Sequence, residues 1–234
     1  MIQPKLFHLS KVTLLVGAIS GISSPALAGE TAKQFVETNC SGCHALSKPE
    51  SFTTTRIRER KAPDLYYAGN KFQEDWLIQW LQSPTRIRPG GTFFGQNVVA
   101  GEDRDIVPKD KLPEHPAFNE SEAQVAASYL MSLTPHDDLV SDVDYVPKPI
   151  SGAIGRMNFT KFKGCVACHE LEKGYGGISG PEVYTAGARL NPEFLYSFIK
   201  NPQAWAPKTF MSNLHLDDSE VQKLADFITT LSKE

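Results

Sequence analysis

The sequence predicts an all-α protein that consists of two similar domains in tandem. The main observation is an internal repeat, in which residues 62–69 resemble residues 180–187 without a gap. Each residue of the first stretch lies 118 positions before its counterpart, as Pro63 does before Pro181. The second observation is that apolar residues recur at helical spacing, whereas no alternating pattern predicts a strand.

The repeat continues towards the end of each copy, with a change of offset. Residues 121–130 resemble residues 219–228, which lie 98 positions further along the chain. The smaller offset, 98 against 118, means that domain one carries 20 additional residues. We expect these residues to form an inserted loop at about 93–115.

The helices are predicted from their apolar faces and their end signals. An apolar face over residues 76–81 predicts a helix that Pro84 ends. Helices are also expected at residues 30–39 and 156–164. N-cap signals for the last helix of each domain lie at Ser121 with Glu122 and at residues 217–219.

Residues 135–155 are predicted to be a linker between the domains. They contain three prolines and a run of aspartates, a composition that favours an extended, solvated chain. Domain one therefore takes residues 29–134 and domain two takes residues 156–234.

Residues 1–28 have the features of a secretory signal peptide. A short basic start precedes an apolar run at residues 12–22, and Ala26-Leu27-Ala28 fits a cleavage site. The apolar run is shorter than the roughly 20 residues of a membrane span. An uncleaved anchor is the alternative, and no stable membrane span is expected in the mature chain.

All four cysteines of the chain lie in two C-x-x-C-H motifs. Cys40 and Cys43 precede His44, and Cys165 and Cys168 precede His169. This motif is the attachment signature of c-type haem. The two sulfurs add to the two vinyl groups of the haem, and the next residue places an imidazole under the iron. The sequence therefore predicts two covalent haem c groups with their iron.

Three other uses of cysteine pairs compete with haem attachment. A thioredoxin-like redox pair needs a βαβ context, which the sequence does not show. A zinc ribbon separates its two pairs by roughly 15–20 residues, whereas here the second pair begins 125 positions after the first, at Cys165 against Cys40. Structural disulfides are the third alternative.

The order of these features resembles a class I cytochrome c domain, present twice. A helix, C-x-x-C-H, a proline before Tyr-x-Ala-Gly, a helix, a ligand loop and a packing helix follow one another in each copy. Over nearly the whole mature chain the sequence resembles the di-haem class I cytochromes. This resemblance implies electron carriage, attachment of haem in the periplasm, His44 and His169 as proximal ligands, and periplasmic or membrane-bound redox proteins as partners.

In such domains the sixth ligand is usually a methionine in the loop before the last helix, and domain two supplies Met211 there. A thioether ligand favours reduced iron and raises the potential. His215 competes for this role, although we expect it at the surface.

Domain one departs from this pattern because Phe93 stands at the position of Met211. The inserted loop contains one histidine, His115, which is our candidate for the sixth ligand of haem one. Lys109 and Lys111 are weaker candidates, since an amine must lose its proton to bind iron. An open iron site is the remaining possibility.

The formal net charge is −3, so the strongly basic surface of a nucleic-acid-binding protein is absent. A basic run at residues 56–61 could dock an acidic partner, lie in solvent, or neutralise a haem propionate. The leading hypothesis is an electron carrier. The alternatives are a peroxidase-like or sulfur-compound-oxidising enzyme with an open haem one, and a dedicated electron-transfer subunit of a dehydrogenase.

Overall fold

The computed structural model describes the backbone of residues 25–231 and the side chains of residues 29–231 other than Lys109. Helices make up 48% and strands 4% of the structure, which is compatible with the predicted all-α class. Most of the predicted signal peptide, and the side chains of its cleavage site, lie outside the described residues. Within residues 25–231, no helix combines the length and apolar character that a membrane span needs.

Ten α-helices are found in the described part of the chain. They are α1 (Pro25–Cys40), α2 (Thr54–Glu59), α3 (Ala68–Lys71), α4 (Glu74–Gln82), α5 (Glu120–Met131), α6 (Gly152–Met157), α7 (Ala186–Arg189), α8 (Pro192–Lys200), α9 (Pro202–Trp205) and α10 (Asp218–Leu231). A π-helical turn, Asn158–Phe162, continues α6 towards the second cysteine pair. One short antiparallel hairpin, β1 (Glu170–Glu172) with β2 (Tyr175–Gly176), was not predicted.

The first half of the structure, residues 25–134, has a hydrophobic core of its own. Helices α1, α3 and α4 pack against α5. Val36, Leu77 and Leu81 are buried there against the alanine face of α5. Alanine side chains keep that face narrow, so the helices approach closely and place the end of α1 near the segment that precedes α3.

The second half, residues 152–231, repeats this arrangement with larger side chains. Helices α6, α7 and α8 pack against α10. Phe159, Phe194 and Phe227 are buried in this core. The approach is closest at Gly155, where an added Cβ would lie 2.3 Å from the Phe227 ring. The same order of helices thus surrounds each cysteine motif.

The last helix of each half begins with the same kind of capping box, and in α5 the box starts two residues earlier than predicted. Asn119, not Ser121, is its N-cap: Glu122 N donates to Asn119 Oδ1 at 3.0 Å and Asn119 N donates to Glu122 Oε2 at 3.0 Å. In α10, Asp217 and Glu220 exchange the same two bonds at 2.9 and 3.2 Å. Reciprocal bonds of this kind satisfy two backbone donors that a helix start leaves open.

The predicted linker is only partly solvated. Tyr145 is 4% exposed, stacks on Tyr196 and donates its hydroxyl to Asp226 at 3.2 Å. His136 is also buried, and its backbone N–H donates to Asn70 Oδ1 at 3.1 Å. The expectation of an extended, exposed segment is therefore wrong at these positions, because buried aromatic area and paired polar groups outweigh the local composition.

The two halves contact each other through equivalent segments of the repeat, residues 71–73 and residues 189–191. Gln73 N donates to Arg189 O at 3.0 Å, and Asn191 N donates to Lys71 O at 2.9 Å. Between these bonds Phe72 pairs with its own repeat counterpart, 118 positions away in the chain, in an isolated antiparallel bridge. Like patches therefore contact each other, as in the interface of a symmetric dimer.

Candidate haem-binding sites

The first cysteine motif forms a tight turn at the end of α1. Cys43 N and His44 N donate to Cys40 O at 3.1 and 2.9 Å. The His44 ring is held from the other side, because its Nδ1–H donates to Pro63 O at 2.7 Å. A backbone bond from Leu65 N to Ala45 O, 2.9 Å long, fixes the proline segment beside the turn. This leaves Nε2 of His44 as the nitrogen free to bind a metal.

The second motif repeats this geometry. Cys168 N and His169 N both donate to Cys165 O at 3.1 Å, and His169 Nδ1–H donates to Pro181 O at 2.7 Å. Gly180 permits this contact, since a Cβ there would lie 2.7 Å from the imidazole ring. A ligating histidine commonly donates its other ring N–H to a carbonyl, which fixes both its tautomer and its orientation.

None of the four cysteines forms a disulfide in the structure. Burial raises the pKa of the Cys40 thiol, and the nearby Cys43 raises it further. Burial likewise raises the pKa of Cys165 to about 11. A redox-active cysteine pair depends on a lowered thiol pKa, so the thioredoxin-like alternative finds no support. Among the described residues, no group of three or more histidine, cysteine or acidic side chains is arranged as a metal site.

The surroundings of both imidazoles favour the neutral, metal-binding form. Burial lowers the pKa of His44, and the positive charge of Lys71 acts in the same direction. Burial also lowers the pKa of His169, and Arg88 and Arg189 lower it further. Because only a neutral imidazole has a lone pair for iron, these environments favour ligation.

The structure brings His115 to the first site, across 71 residues of sequence. Its ring centroid lies 6.2 Å from that of His44, with 59° between the planes. Its Nδ1–H donates to Pro116 O at 2.8 Å, and the Trp80 ring packs 4.7 Å away. With each nitrogen at about 2 Å from the metal, two imidazoles on opposite sides of one ion have ring centres about 6 Å apart. The observed separation of 6.2 Å matches this spacing.

The structure describes the surroundings of two other residues considered for the first site, Phe93 and Lys111. Phe93 contacts Phe210 of the second half, with ring centroids 5.6 Å apart. Lys111 is exposed in a short 3-10 turn, and the side chain of Lys109 lies outside the described residues.

In the second half, Met211 lies partly buried in the loop between α9 and α10. Gln203 Nε2 donates to Met211 O at 2.9 Å and ties this loop to α9. His215 is exposed, as expected, and has a φ of 52°, while its N–H donates to Asn213 Oδ1 at 2.8 Å. The structure thus keeps Met211 within the fold and turns His215 to the surface.

The basic run at residues 56–61 divides into bound and exposed side chains. Arg56 donates two hydrogen bonds, of 3.1 and 2.5 Å, to the buried Asp64 carboxylate, and Arg60 donates a third of 3.2 Å. Arg58 is exposed and lies over the Phe93 ring at 5.5 Å. Two members of the run therefore organise the protein interior, which composition did not indicate.

Sequence reasoning missed a group of cations between the two motifs. Lys71 and Arg189 occupy equivalent positions of the repeat and flank the contact between the halves. Arg88 lies near both, and burial together with Arg60 lowers the pKa of its guanidinium to about 10. The repeat could have indicated Lys71 and Arg189 as a matched pair, but nothing in the sequence showed that these charges gather.

Comparison with known proteins gives one match. Residues 152–228 match the family model described as cytochrome c oxidase, cbb3-type, subunit III. The match runs from α6 into α10 and includes the second cysteine motif. Over these residues the chain is similar to a c-type cytochrome domain, which supports a covalently bound haem c with its iron and a role in electron transfer. Searches of curated proteins and of solved structures found no match.

Proposed function

We propose that this protein is a periplasmic di-haem c-type cytochrome that relays single electrons between redox partners. The observation that carries the proposal is that one geometry is built twice. In each half a C-x-x-C-H turn faces a proline carbonyl at 2.7 Å from the histidine Nδ1. The family match supports haem binding for the second copy, and the equal geometry extends the same argument to the first. The haem supplies the electron-accepting iron, and the chain supplies attachment, ligands and surroundings.

In the proposed assignment, Cys165 and Cys168 attach haem two, with His169 and Met211 as its axial ligands. Cys40 and Cys43 attach haem one in the same way. His44 and His115 are the proposed ligands of its iron, and the ring separation of 6.2 Å supports this. An imidazole stabilises oxidised iron better than a thioether does, so haem one should have the lower potential. Electrons would then enter at haem one and rest on haem two.

The contact between the halves suits such a relay. The paired segments around Phe72 and Leu190 hold the two sites in a fixed relation through backbone bonds. The aromatic side chain of Tyr67 crosses this contact and packs 5.8 Å from Trp205 of the second half. Since electron transfer falls steeply with distance, a rigid contact favours reproducible transfer between the haems. The expected partners are other periplasmic or membrane-bound redox proteins.

The number of haems is tested by mass spectrometry of the full-length protein matured in a periplasm. We expect a mass with two haem additions and cleavage after Ala28. The variant Cys40→Ser/Cys43→Ser should retain one haem, and Cys165→Ser/Cys168→Ser should retain the other. A wild-type protein with one haem or none would contradict the proposal.

The ligands of haem one are tested with His115→Ala. Loss of the imidazole should open the site, produce a high-spin EPR signal, and let carbon monoxide or cyanide bind at one haem. His215→Ala is the matched control, because this exposed histidine should leave the spectrum unchanged. If haem one of the wild type is already high-spin and reacts with peroxide, the carrier role fails and an enzymatic role replaces it. If the alanine variant stays low-spin, His115 is not the ligand.

A further inference from the structure

A segment of the first half, residues 87–93, crosses to the second half and packs beside its haem motif. Glu182 N donates to Ile87 O at 2.8 Å. At Gly90 the two backbones approach so closely that a Cβ would lie 2.4 Å from Ile178 O. By the repeat, this segment corresponds to the loop that carries Met211 in the second half. It therefore lies beside the second cysteine motif, while Thr92 also donates to Lys61 O of the first half at 3.2 Å.

This segment carries Arg88 into a region that already holds an excess of positive charge. Arg88, Arg60 and Arg189 all lie close enough to Lys71 to lower its pKa. The charged groups that act on one another there are Arg60, Asp64, Lys71, Arg88, Glu182 and Arg189.

Both buried carboxylates of this region are already engaged. Asp64 is bound by Arg56 and Arg60, and Glu182 is bound by Arg189 at 3.4 Å. Among the described residues, the side chains of Lys71 and Arg88 have no hydrogen bond or ion pair. Lys71 and Arg88 are both partly exposed. Like charges gathered in one place repel one another, and a nearby anion offsets this repulsion. Two cations without an acidic partner thus offer a binding place for an anionic group from outside the polypeptide.

The position of Arg88 indicates which anion this is. Arg88 acts electrostatically on the ring of His169, the proposed ligand of haem two. Haem carries two propionate carboxylates on one edge, and a guanidinium binds a carboxylate with parallel hydrogen bonds. We propose that Arg88 of the first half binds a propionate of haem two, so that this haem site is shared between the halves. The inference rests on the proposed function, since it requires a haem at His169.

The charge of Arg88 also has a redox consequence. Oxidation of a haem adds one positive charge to it, and a cation close to its edge opposes that change. Arg88 therefore favours the reduced form of haem two, in the same direction as the thioether of Met211. The first half thus helps to make haem two the place where electrons rest.

The test is a potentiometric titration of the full-length, two-haem protein. Arg88→Gln removes the charge, and Arg88→Lys restores a charge without the guanidinium fork. Arg86→Gln is the matched control, because Arg86 is exposed in the adjoining sequence and bonds Leu112 O instead. For Arg88→Gln we expect about a tenfold loss in the one-electron reduction equilibrium of haem two, equivalent to 59 mV. Arg88→Lys should recover most of this shift, and Arg86→Gln should show none.

The outcomes separate this inference from the function on which it rests. If the wild type carries two redox-active haems and Arg88→Gln leaves haem two unchanged, or shifts haem one more, the inference is wrong and the carrier function stands. If the wild type lacks a haem at Cys165 and Cys168, the proposed function itself fails. If Arg88→Gln does not fold, Arg88→Lys is compared with the neutral control Arg88→Met. A role for the charge would be contradicted if both variants lowered the potential of haem two equally.

Discussion

The contact between the halves can be tested through one side chain, Asn191. Its amide donates to Gly69 O and to Asn70 O, both at 3.1 Å. Asn191 also precedes α8, yet its side chain makes no capping bond to that helix. The variant Asn191→Ala therefore removes two bonds across the contact and no helix cap.

The size of the effect follows from these two bonds. Each hydrogen bond contributes about 0.5–1.5 kcal/mol to stability, so the loss should be about 1–3 kcal/mol. For a protein of this size, each kcal/mol lowers Tm by about 2–4 °C. Gln73→Ala should have an equal effect, because Gln73 Nε2 donates to Gly187 O at 3.0 Å and to Leu190 O at 2.8 Å. The double variant should depart from the sum, since both side chains serve one contact.

The assay is thermal and urea unfolding of the holoprotein, followed by circular dichroism. Asn39→Ala is the matched control, because its amide makes a single local bond to Phe35 O on an exposed helix face. We expect the control to change stability by less than about 0.5 kcal/mol. If Asn191→Ala and Gln73→Ala behave like the control, the halves do not meet in solution as the structure has them.

Three further predictions concern the ligand loop, the helix packing and the buried charges. Met211→His should lower the potential of haem two and abolish the weak near-infrared methionine–iron band, and an unchanged spectrum would remove Met211 from the site. Gly69→Ala should lower the stability of the protein by about 1–3 kcal/mol through overpacking, since its Cβ would lie 2.1 Å from Met131 O. In the control Gly152→Ala the new Cβ meets open space, so stability should not fall. Equal unfolding curves for the two variants would refute this prediction. Burial, with the positive charge of nearby arginines, lowers the pKa of Lys71 from 10.5 to about 7. The unfolded chain then binds more protons between those values, so the stability of the haem-free protein should rise with pH across pH 7–10.5, and Lys71→Met should flatten that rise in urea titrations.

The sequence by itself determined the features that depend on residues close together in the chain. Two C-x-x-C-H motifs use every cysteine, and the structure forms both as turns at the ends of helical segments. The apolar face at residues 76–81 and Pro84 correctly predicted α4, which ends at Gln82. These features lie within one or two helical turns, so the local chain geometry alone fixes them. The start of α5 was misplaced because Asn119 competes with Ser121 as a cap, and only the reciprocal bond with Glu122 decides between them.

Only the tertiary structure decided which distant residues meet. The repeat equated Phe72 with Leu190 but did not show that they pair with each other. It placed Phe93 at the position of a ligand, whereas that side chain packs against the other half. The sequence showed His115 only as a single histidine in an inserted loop. The structure places its ring centroid 6.2 Å from that of His44. Such contacts depend on how helices pack across many residues of chain, and burial and charge pairing at those contacts leave no periodic mark in the sequence.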